Sequence, residues 1–388
     1  MNPDPNRQTD KASAGRRAAA LGALLAAVVC VGAIVTVVAV RERSGAEAAA
    51  PAERKQRAAA PETEADDQTV VITWVGDTML GTTSAVPPDN GKPMFAKVRQ
   101  WIKPADLALG NLEGVLSERG ASKCGGASGG TCFAFRAPTA SAKALRWAGF
   151  DVMNMANNHA MDYGADARMD TKIALAKSSI ASTGGPGEIA FILRNGIRFA
   201  LIGLAPYPWA QDNRDLAGAA KLVKAARRKA DVVIAMVHAG AEGSDKTHTP
   251  TGTEYAFGED RGNTREMAYT LIDAGAALVL GSGPHVIRGV QRYHGRMIAY
   301  SLGNFAGWHN FASGSVLDQT GVLRVTINKD GRVLDGRWLS AQLVPPGVPV
   351  PQPSNLSANL ARSVSIADFG KDAWPMKPDG RLAAWDAK

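Results

Sequence analysis

Cysteine, histidine and aromatic residues are scarce in this chain of 388 residues, which has three Cys, six His and only 6% Phe, Trp and Tyr. The cysteines lack the spacing of a four-ligand zinc site. The net charge of +8 could suit nucleic acid, but no basic stripe is interleaved with aromatic side chains, so we expect no nucleic-acid partner. A solvated basic surface, or one close to anionic polymers or lipid, is the favoured interpretation.

Charge is absent from one long run, residues 18–40, which reads AAALGALLAAVVCVGAIVTVVAV. Its length suffices to cross a bilayer core of roughly 30 Å, so we predict an uncleaved transmembrane anchor. A cleaved signal peptide is the alternative, because the run has a basic flank and small residues follow it. With an anchor, residues 1–17 form a short cytoplasmic tail and residues 41–68 a flexible linker. The protein would then cross the cell membrane once, and its large domain is expected outside the cytoplasm.

Two of the three cysteines flank a Gly/Ser-rich loop, CGGASGGTC, which begins at Cys124 and ends at Cys132. Cys30 lies within the predicted membrane helix. A disulfide between Cys124 and Cys132 is the simplest interpretation in an oxidising compartment, and two unpaired loop thiols are the alternative.

Hydrophobic content of 45% indicates a globular protein, and no internal repeat is present. From residue 69, buried-strand patterns alternate with amphipathic helix patterns, which predicts an α/β fold. We expect strands at 69–77, 106–111, 151–157, 198–204, 231–238, 277–282 and 296–305, and helices at 140–149, 166–182, 215–230 and 264–275. A hairpin is expected at 321–339. The folded domain is predicted to span 69–345, followed by a Pro-rich C-terminal extension, 346–388, without assigned structure.

Polar residues follow the apolar part of six predicted strands. They are Asp77, Asn111 and Glu113, Asn157, Asn158 and His159, His238 and Glu242, His285, and Asn304. Ligands of open α/β sheets bind outside the carboxyl ends of the strands. Carboxylates, imidazoles and amide oxygens suit a divalent metal, so the pattern predicts one shared metal site.

Each of these residues alone has an ordinary alternative. Asp77 could cap a helix, Glu113 could be solvated, and His238 could be a hydrogen-bonded core residue. His285 follows a Gly-Pro turn, and Asn304 could satisfy loop backbone groups. Their shared position at strand ends favours the site. The other three histidines, His248, His294 and His309, are expected at the surface, with His309 the nearest of them to the site.

Six motifs, GDTMLG, GNLEG, ANNHAMDYG, HAGAE, GPHVIRGVQ and YSLGNF, occur in the order seen in CapA-like poly-gamma-glutamate capsule biosynthesis proteins. The chain resembles this family over roughly residues 70–330. The family is related to the calcineurin-like metallophosphatases. The resemblance implies a two-sheet α/β sandwich flanked by helices, with one or two divalent ions (Mn, Fe or Zn) at the sheet edges.

The resemblance also implies roles for individual residues. Those matching metal ligands are Asp77, Glu113 as the bridging carboxylate, Asn158, His238 and His285. His159 matches the general acid, and Asp162 is grouped with it as catalytic support. We assign Asn111, Asn157, Glu242 and Asn304 to substrate binding or to support of the ligands.

Three positions depart from the family pattern. Met79 stands where the wider superfamily commonly has a histidine, a loss that CapA-like proteins share. Gly283 stands where the family usually has a histidine before Pro-His, so one expected ligand is missing. Ala239 replaces a frequent tryptophan and is expected to alter the cleft wall only.

The leading hypothesis is a membrane-anchored, extracytoplasmic CapA-like protein that acts in capsule or exopolymer synthesis or export through a metal-dependent hydrolase site. Its expected partners are the membrane, an anionic polymer or phosphoester substrate, and a membrane synthesis complex. A generic metallophosphoesterase unconnected to capsule is one alternative. A non-catalytic polymer-binding or assembly component with a degraded metal site is the other.

Overall fold

The computed structural model describes residues 68–82, 85–125, 132–311 and 313–384. The predicted tail, the predicted membrane anchor 18–40 and all but the last residue of the predicted linker lie outside these residues. Among the residues described, no helix has both the length and the apolar character needed to span a bilayer.

The larger of two main sheets has nine strands. They are β1 (Thr69–Met79), β2 (Leu107–Leu112), β5 (Val152–Asn154), β6 (Ala181–Thr183), β15 (Asn304–Gly307), β16 (Gln319–Asn328), β17 (Val333–Val344), β18 (Val348–Pro351) and β19 (Arg381–Leu382). The order is β18-β17-β16-β1-β2-β5-β6, with β15 pairing to the end of β1 and β19 to β17. Strands β1, β2, β5 and β6 are parallel, and the predicted hairpin forms the antiparallel part as β16 and β17.

The second main sheet has six strands. They are β7 (Ala190–Arg194), β8 (Ile197–Leu204), β9 (Val232–His238), β12 (Leu278–Ser282), β13 (Val290–Tyr293) and β14 (Arg296–Ala299), in the order β13-β14-β12-β9-β8-β7. Two short pairs complete the strands: β3 (Val115–Leu116) with β4 (Arg136–Ala137), and β10 (Glu254–Ala256) with β11 (Glu259–Gly262).

The two sheets pack face to face, which confirms the predicted sandwich. Alternate residues of a strand point to opposite faces, so Ile72 and Trp74 of β1 meet Ile234 and Met236 of β9 in a shared core. The indole Nε1 of Trp74 donates to the carbonyl of Gly281 across the interface at 3.2 Å. Helices cover the outer faces as well, which explains why the central strands are almost continuously apolar.

Seven helices are described: α1 (Lys92–Phe95), α2 (Arg99–Ile102), α3 (Ser141–Ala148), α4 (Gly164–Lys177), α5 (Leu216–Arg227), α6 (Thr264–Asp273) and α7 (Leu356–Phe369). Helices α1 to α4 pack on the outer face of the larger sheet, and α5 and α6 on that of the second. Helix α5 shows why: Ala219, Leu222, Val223 and Ala226 form one buried stripe. The Asp215 carboxylate caps its start by accepting from Gly218 N.

Three predicted elements differ from those observed. The strand expected at 151–157 is shorter, Val152–Asn154, so Asn157 lies in the loop that follows it. The helix expected at 166–182 ends at Lys177, because Ser179 has a left-handed φ of 57° and the chain then forms edge strand β6. The strand expected at 296–305 is two strands. Gly303, at φ 72°, lets the chain leave β14 in one sheet and enter β15 in the other.

The compact region continues past residue 345, where we expected it to end. The prolines of β18 lie in an edge strand, where a missing N–H donor is tolerated. Helix α7 buries small residues, Ser357, Ala358, Ala361 and Ser365, and two of them belong to the core between the sheets. The Pro-rich stretch therefore joins two parts of the fold, and residues 348–382 are part of the domain.

Candidate metal centre

The carboxyl ends of strands from both sheets converge at one edge of the sandwich. Asp77 on β1 lies opposite Asn111 on β2, and Glu113 follows β2 directly. His238 ends β9 and pairs in register with Ser282, the last residue of β12. The predicted positions at the strand ends are therefore neighbours in space.

Glu113 is the centre of this group. Its carboxylate is fully buried, and neither oxygen has a hydrogen-bond partner among the described residues. Three imidazole Nε2 atoms surround Oε1: that of His285 at 3.6 Å and those of His159 and His238 at 3.8 Å each. These distances are too long for hydrogen bonds, so the nitrogens face the carboxylate across a gap.

The carboxylate of Asp77 is held by groups from three strand ends. Asn111 Nδ2 donates to Oδ1 at 2.8 Å, and the backbone N–H of Gly283 donates to Oδ2 at 3.1 Å. His285 Nδ1 lies 3.2 Å from Oδ2, and His238 Nδ1 lies 3.6 Å from Oδ1. Asp77 is thus fixed in one orientation from both sides.

Burial and charge displace the proton affinities of the group. Burial opposes ionisation of Asp77, yet the neighbouring imidazoles of His238 and His285 hold its pKa well below the usual range. Burial raises the pKa of Glu113 well above its usual value, and the nearby Asp77 raises it further. Although burial disfavours the cationic form of His285, the carboxylates, led by Glu113, raise its pKa to about 10.

These residues fit a divalent metal ion. Asp77, Glu113 and His238 can each offer one ligand atom such that the three atoms lie within 4.8 Å of one another. The Glu113 oxygens and His238 Nε2 are buried polar atoms without a hydrogen-bond partner among the described residues. Such groups are costly unless something satisfies them. Two carboxylates and an imidazole suit Mn, Fe or Zn.

Asn304 orients the ring of His285. Nδ1 of His285 lies 2.8 Å from Asn304 Oδ1, and the amide nitrogen of Asn304 donates to the His285 carbonyl at 3.0 Å. This leaves Nε2 facing Glu113 and, at 3.6 Å, the carboxylate of Glu242. Asn304 therefore fixes the orientation of His285, as residues that hydrogen-bond to metal-binding histidines commonly do.

His159 lies on the loop after β5 with its Nδ1 bound to Asp162 Oδ2 at 2.8 Å. Asp162 is fully buried, accepts from Phe135 N, and pairs through Oδ1 with Lys123 Nζ at 2.7 Å. Burial lowers the pKa of His159 although Asp162 opposes this. Asp162 does not line the cleft, so we assign it the role of a positioning residue that acts through His159.

The asparagines divide into two groups. Asn111 and Asn157 are fully buried and hydrogen-bonded: Asn157 Nδ2 donates to the Leu112 carbonyl, and its Oδ1 accepts from His159 N. They shape the loop that carries His159. Asn158, by contrast, lines the cleft, and its Oδ1 is buried without a hydrogen-bond partner among the described residues. That free amide oxygen is the kind of atom its predicted role as a ligand requires.

Gly283 explains the missing histidine in terms of backbone geometry. Its φ of 112° is one that side-chain-bearing residues rarely adopt, and an added Cβ would lie 3.0 Å from Ala239 N. The backbone N–H of Gly283 donates a hydrogen bond to Oδ2 of Asp77. The loop is therefore built around a glycine here, and a backbone donor stands where a side-chain ligand was expected.

The other three histidines lie outside the group, as expected. His248 pairs with Asp368 and His294 with Asp273, and both are exposed. His309, the nearest to the site in sequence, is also exposed, and its ring contacts Trp308.

A cleft of about 690 Å³ lies beside the residues that could bind a metal ion. The disulfide Cys124–Cys132 is formed, which confirms that prediction, and Cys132 is part of the wall. Sequence reasoning missed most of the other residues of the wall, among them Lys123, Tyr207, Trp209 and Arg261. Lys123 adjoins the predicted disulfide, which was an available signal. Tyr207 and Trp209 come from the loop after β8, and Arg261 comes from the short strand β11; neither segment has a distinctive sequence pattern.

Fold and site together define a class: a two-sheet α/β sandwich with a candidate metal centre at the carboxyl ends of its strands. Within that class, the chain belongs to the family of bacterial capsule synthesis protein PGA_cap, whose family model matches residues 71–307.

Two curated relatives and one solved structure illustrate the similarity. The chain is 28% identical to the capsule biosynthesis protein CapA of Bacillus anthracis, over 85% of this chain and 80% of that protein. It is 27% identical to the PGA biosynthesis protein CapA of Bacillus subtilis, over 62% and 65% respectively. A Staphylococcus aureus structure described as a 5'-nucleotidase superposes with a TM-score of 0.43 and 11% identity, over 76% of this chain and 58% of that one. Structural similarity of this degree identifies neither fold nor activity.

Proposed function

We propose that this protein is a metal-dependent hydrolase that acts on an anionic polymer during capsule or poly-gamma-glutamate synthesis or export. One observation carries the proposal: the buried, unpartnered Glu113 carboxylate is faced by three histidine Nε2 atoms at 3.6–3.8 Å beside an open cleft. The names of the Bacillus relatives support the polymer.

We assign a separate role to each side chain of the site. Asp77, Glu113 and His238 would hold a divalent ion, and His285 and Asn158 would extend the ligand set. When bound, a divalent ion supplies Lewis acidity and a water nucleophile at neutral pH. His159 donates a proton from Nε2 to the leaving group, since its other nitrogen is held by Asp162. Burial lowers the pKa of His159, whereas Asp162 favours the protonated form that a proton donor needs.

The location belongs to the same proposal. Residues 18–40 anchor the protein in the cell membrane as a single span, and the domain from residue 69 onward lies outside the cytoplasm, where it meets a membrane synthesis complex. The uncharged 23-residue run and the disulfide, which suits an oxidising compartment, support this placement. Alkylation of the exported protein before and after reduction tests it. Free Cys124 and Cys132 thiols in the unreduced protein would contradict it.

Metal analysis of the full-length protein is the central test. We expect Mn, Fe or Zn to copurify, to raise the melting temperature when added back, and to support hydrolysis of gamma-glutamyl or phosphoester substrates. Trace metal, with no stabilisation by added ions, would overturn the proposal. Turnover of phosphoesters alone would instead favour a phosphoesterase unconnected to capsule.

Gly283 favours a second candidate, a polymer-binding or assembly component without turnover. Its backbone geometry excludes the side-chain ligand that the family usually has. Under this candidate the protein binds metal and polymer but releases no product. Product analysis after prolonged incubation of polymer with the metal-loaded protein separates the two functions.

A further inference from the structure

Among the described residues, three hairpins close with two-residue loops in which both residues have positive φ. The loops are Asn195–Gly196, Phe257–Gly258 and His294–Gly295. Turns of this kind favour Asn, Asp or Gly at the first position, because other side chains clash with the backbone at positive φ. Asn195 follows that preference, whereas His294 and Phe257 do not.

The surroundings of His294 account for its position, and those of Phe257 do not. The ring of His294 stacks on Tyr293 with centroids 4.0 Å apart, and its Nδ1 pairs with Asp273 at 2.9 Å. Phe257 is 73% exposed and lines the cleft beside the metal centre. A strained, exposed phenylalanine in the wall of a cleft suggests that its contact partner is a ligand.

The hairpin that carries Phe257, residues 254–262, is fixed relative to the metal centre. At one end Glu254 pairs with the buried guanidinium of Arg288, at 2.7 and 3.0 Å. At the other end Arg261 pairs with Glu242 at 2.7 Å, and Glu242 in turn faces His285 Nε2. The tip is therefore held at a set position beside the ligand-type residues.

We propose that Phe257 is a specificity-determining residue that packs against the methylene groups of a glutamyl polymer bound across the metal centre. This inference rests on the proposed function and deepens it by separating an extended polymer from small substrates. Phe133, 53% exposed on the same cleft, supplies a second apolar contact. A small substrate bound at the metal centre needs none of these contacts.

The test compares Phe257→Asn with His294→Asn, which makes the same replacement at the same turn position away from the cleft. The full-length, metal-loaded proteins are assayed for binding of poly-gamma-glutamate by calorimetry. KM and kcat are measured for this polymer and for gamma-glutamyl para-nitroanilide. Since asparagine suits the turn, both variants are expected to fold and retain metal.

We expect Phe257→Asn to weaken polymer binding and raise KM for polymer about tenfold, with values for the small probe unchanged. His294→Asn should match wild type throughout. Wild-type polymer affinity in Phe257→Asn would overturn this inference and leave the proposed function intact. If the wild-type protein itself neither binds nor cleaves polymer, the polymer function fails and this inference fails with it.

Discussion

Among the described residues, two clusters of buried charge can be compared: the chain completes the one around Glu254 and leaves the one around Glu113 open. Glu254 and Arg288 are 4% and 1% exposed, and both carboxylate oxygens accept from the guanidinium. Thr264 Oγ1 and Ala241 N donate to the same carboxylate, and the Lys246 carbonyl accepts from Arg288 Nε. Burial alone would favour the protonated form of Glu254, but Arg288 lowers its pKa.

The cluster around Glu113 is equally buried and is left open. Its carboxylate oxygens and His238 Nε2 have no hydrogen-bond partner among the residues described. An uncompensated buried carboxylate lowers stability, and folds retain one chiefly where it has a function. The difference teaches how to distinguish the two clusters: the closed one stabilises the fold, and the open one has room for a group from outside the chain.

The largest expected effect comes from breaking the closed cluster. Arg288→Met removes the cation and leaves the Glu254 charge buried, so we expect a loss of about 3–5 kcal/mol in the free energy of unfolding. Urea denaturation measures this loss. Arg381→Met, which breaks an exposed pair with Asp379, is the control. It should unfold at the same urea concentration as wild type. An Arg288→Met midpoint equal to that of wild type would show that the closed cluster is not structural.

Next in size is the effect of His159→Asn on turnover. Loss of the proton donor should lower kcat by about 100-fold or more while metal content is kept. His248→Asn, at an exposed histidine paired with Asp368, is the matched control and should keep full activity. Undiminished turnover in His159→Asn with metal bound would remove His159 from the acid role.

Glu113→Gln is expected to stabilise the metal-free protein, whereas Arg288→Met is expected to destabilise it. Because the pKa of Glu113 in the folded state lies above its usual value of 4.5, the folded protein retains a proton there that the unfolded chain has lost. The contribution of Glu113 to the stability of the metal-free protein therefore falls as pH rises above about 4.5. Glu113→Gln removes this loss, so we expect the metal-free variant to gain about 2 kcal/mol over wild type at pH 7 and nothing at pH 4.

Glu254→Gln is the partner experiment and should have the opposite sign. The pKa of Glu254 is lowered in the fold, so its ionised form contributes stability above its unfolded pKa, and that contribution is lost as pH falls through the folded pKa. We expect Glu254→Gln to destabilise the protein at pH 7. Thermal melts of both variants across pH, with and without Mn, provide the measurement. Destabilisation by both substitutions would mean that the Glu113 cluster is closed as well.

The open cluster could be predicted from the sequence more fully than the closed one. Asp77, Glu113 and His238 stand at the ends of apolar strands, and parallel strands bring such ends together. Glu254 and Arg288 lie in segments without a strand or helix pattern, 34 residues apart, so only the tertiary fold pairs them. The same limit applies to Gly283, whose contribution is a backbone N–H. It also applies to helix α7, where four of the six buried residues are Ser or Ala, so the helix gives no clear apolar period.

The smallest expected effect tests how the open cluster is oriented. Asn304→Ala removes the oxygen that lies 2.8 Å from His285 Nδ1 and leaves the ring free to turn. Outer-shell losses of this kind cost metal affinity about tenfold, close to 1.4 kcal/mol. Asn359→Ala, where the amide bonds only to the Asn355 carbonyl of its own helix, is the control. Competition with a fluorescent chelator measures the affinity. If Asn304→Ala binds metal as tightly as wild type, His285 is held by its backbone and by Asp77 alone, and the open cluster needs less support from the surrounding fold than its geometry indicates.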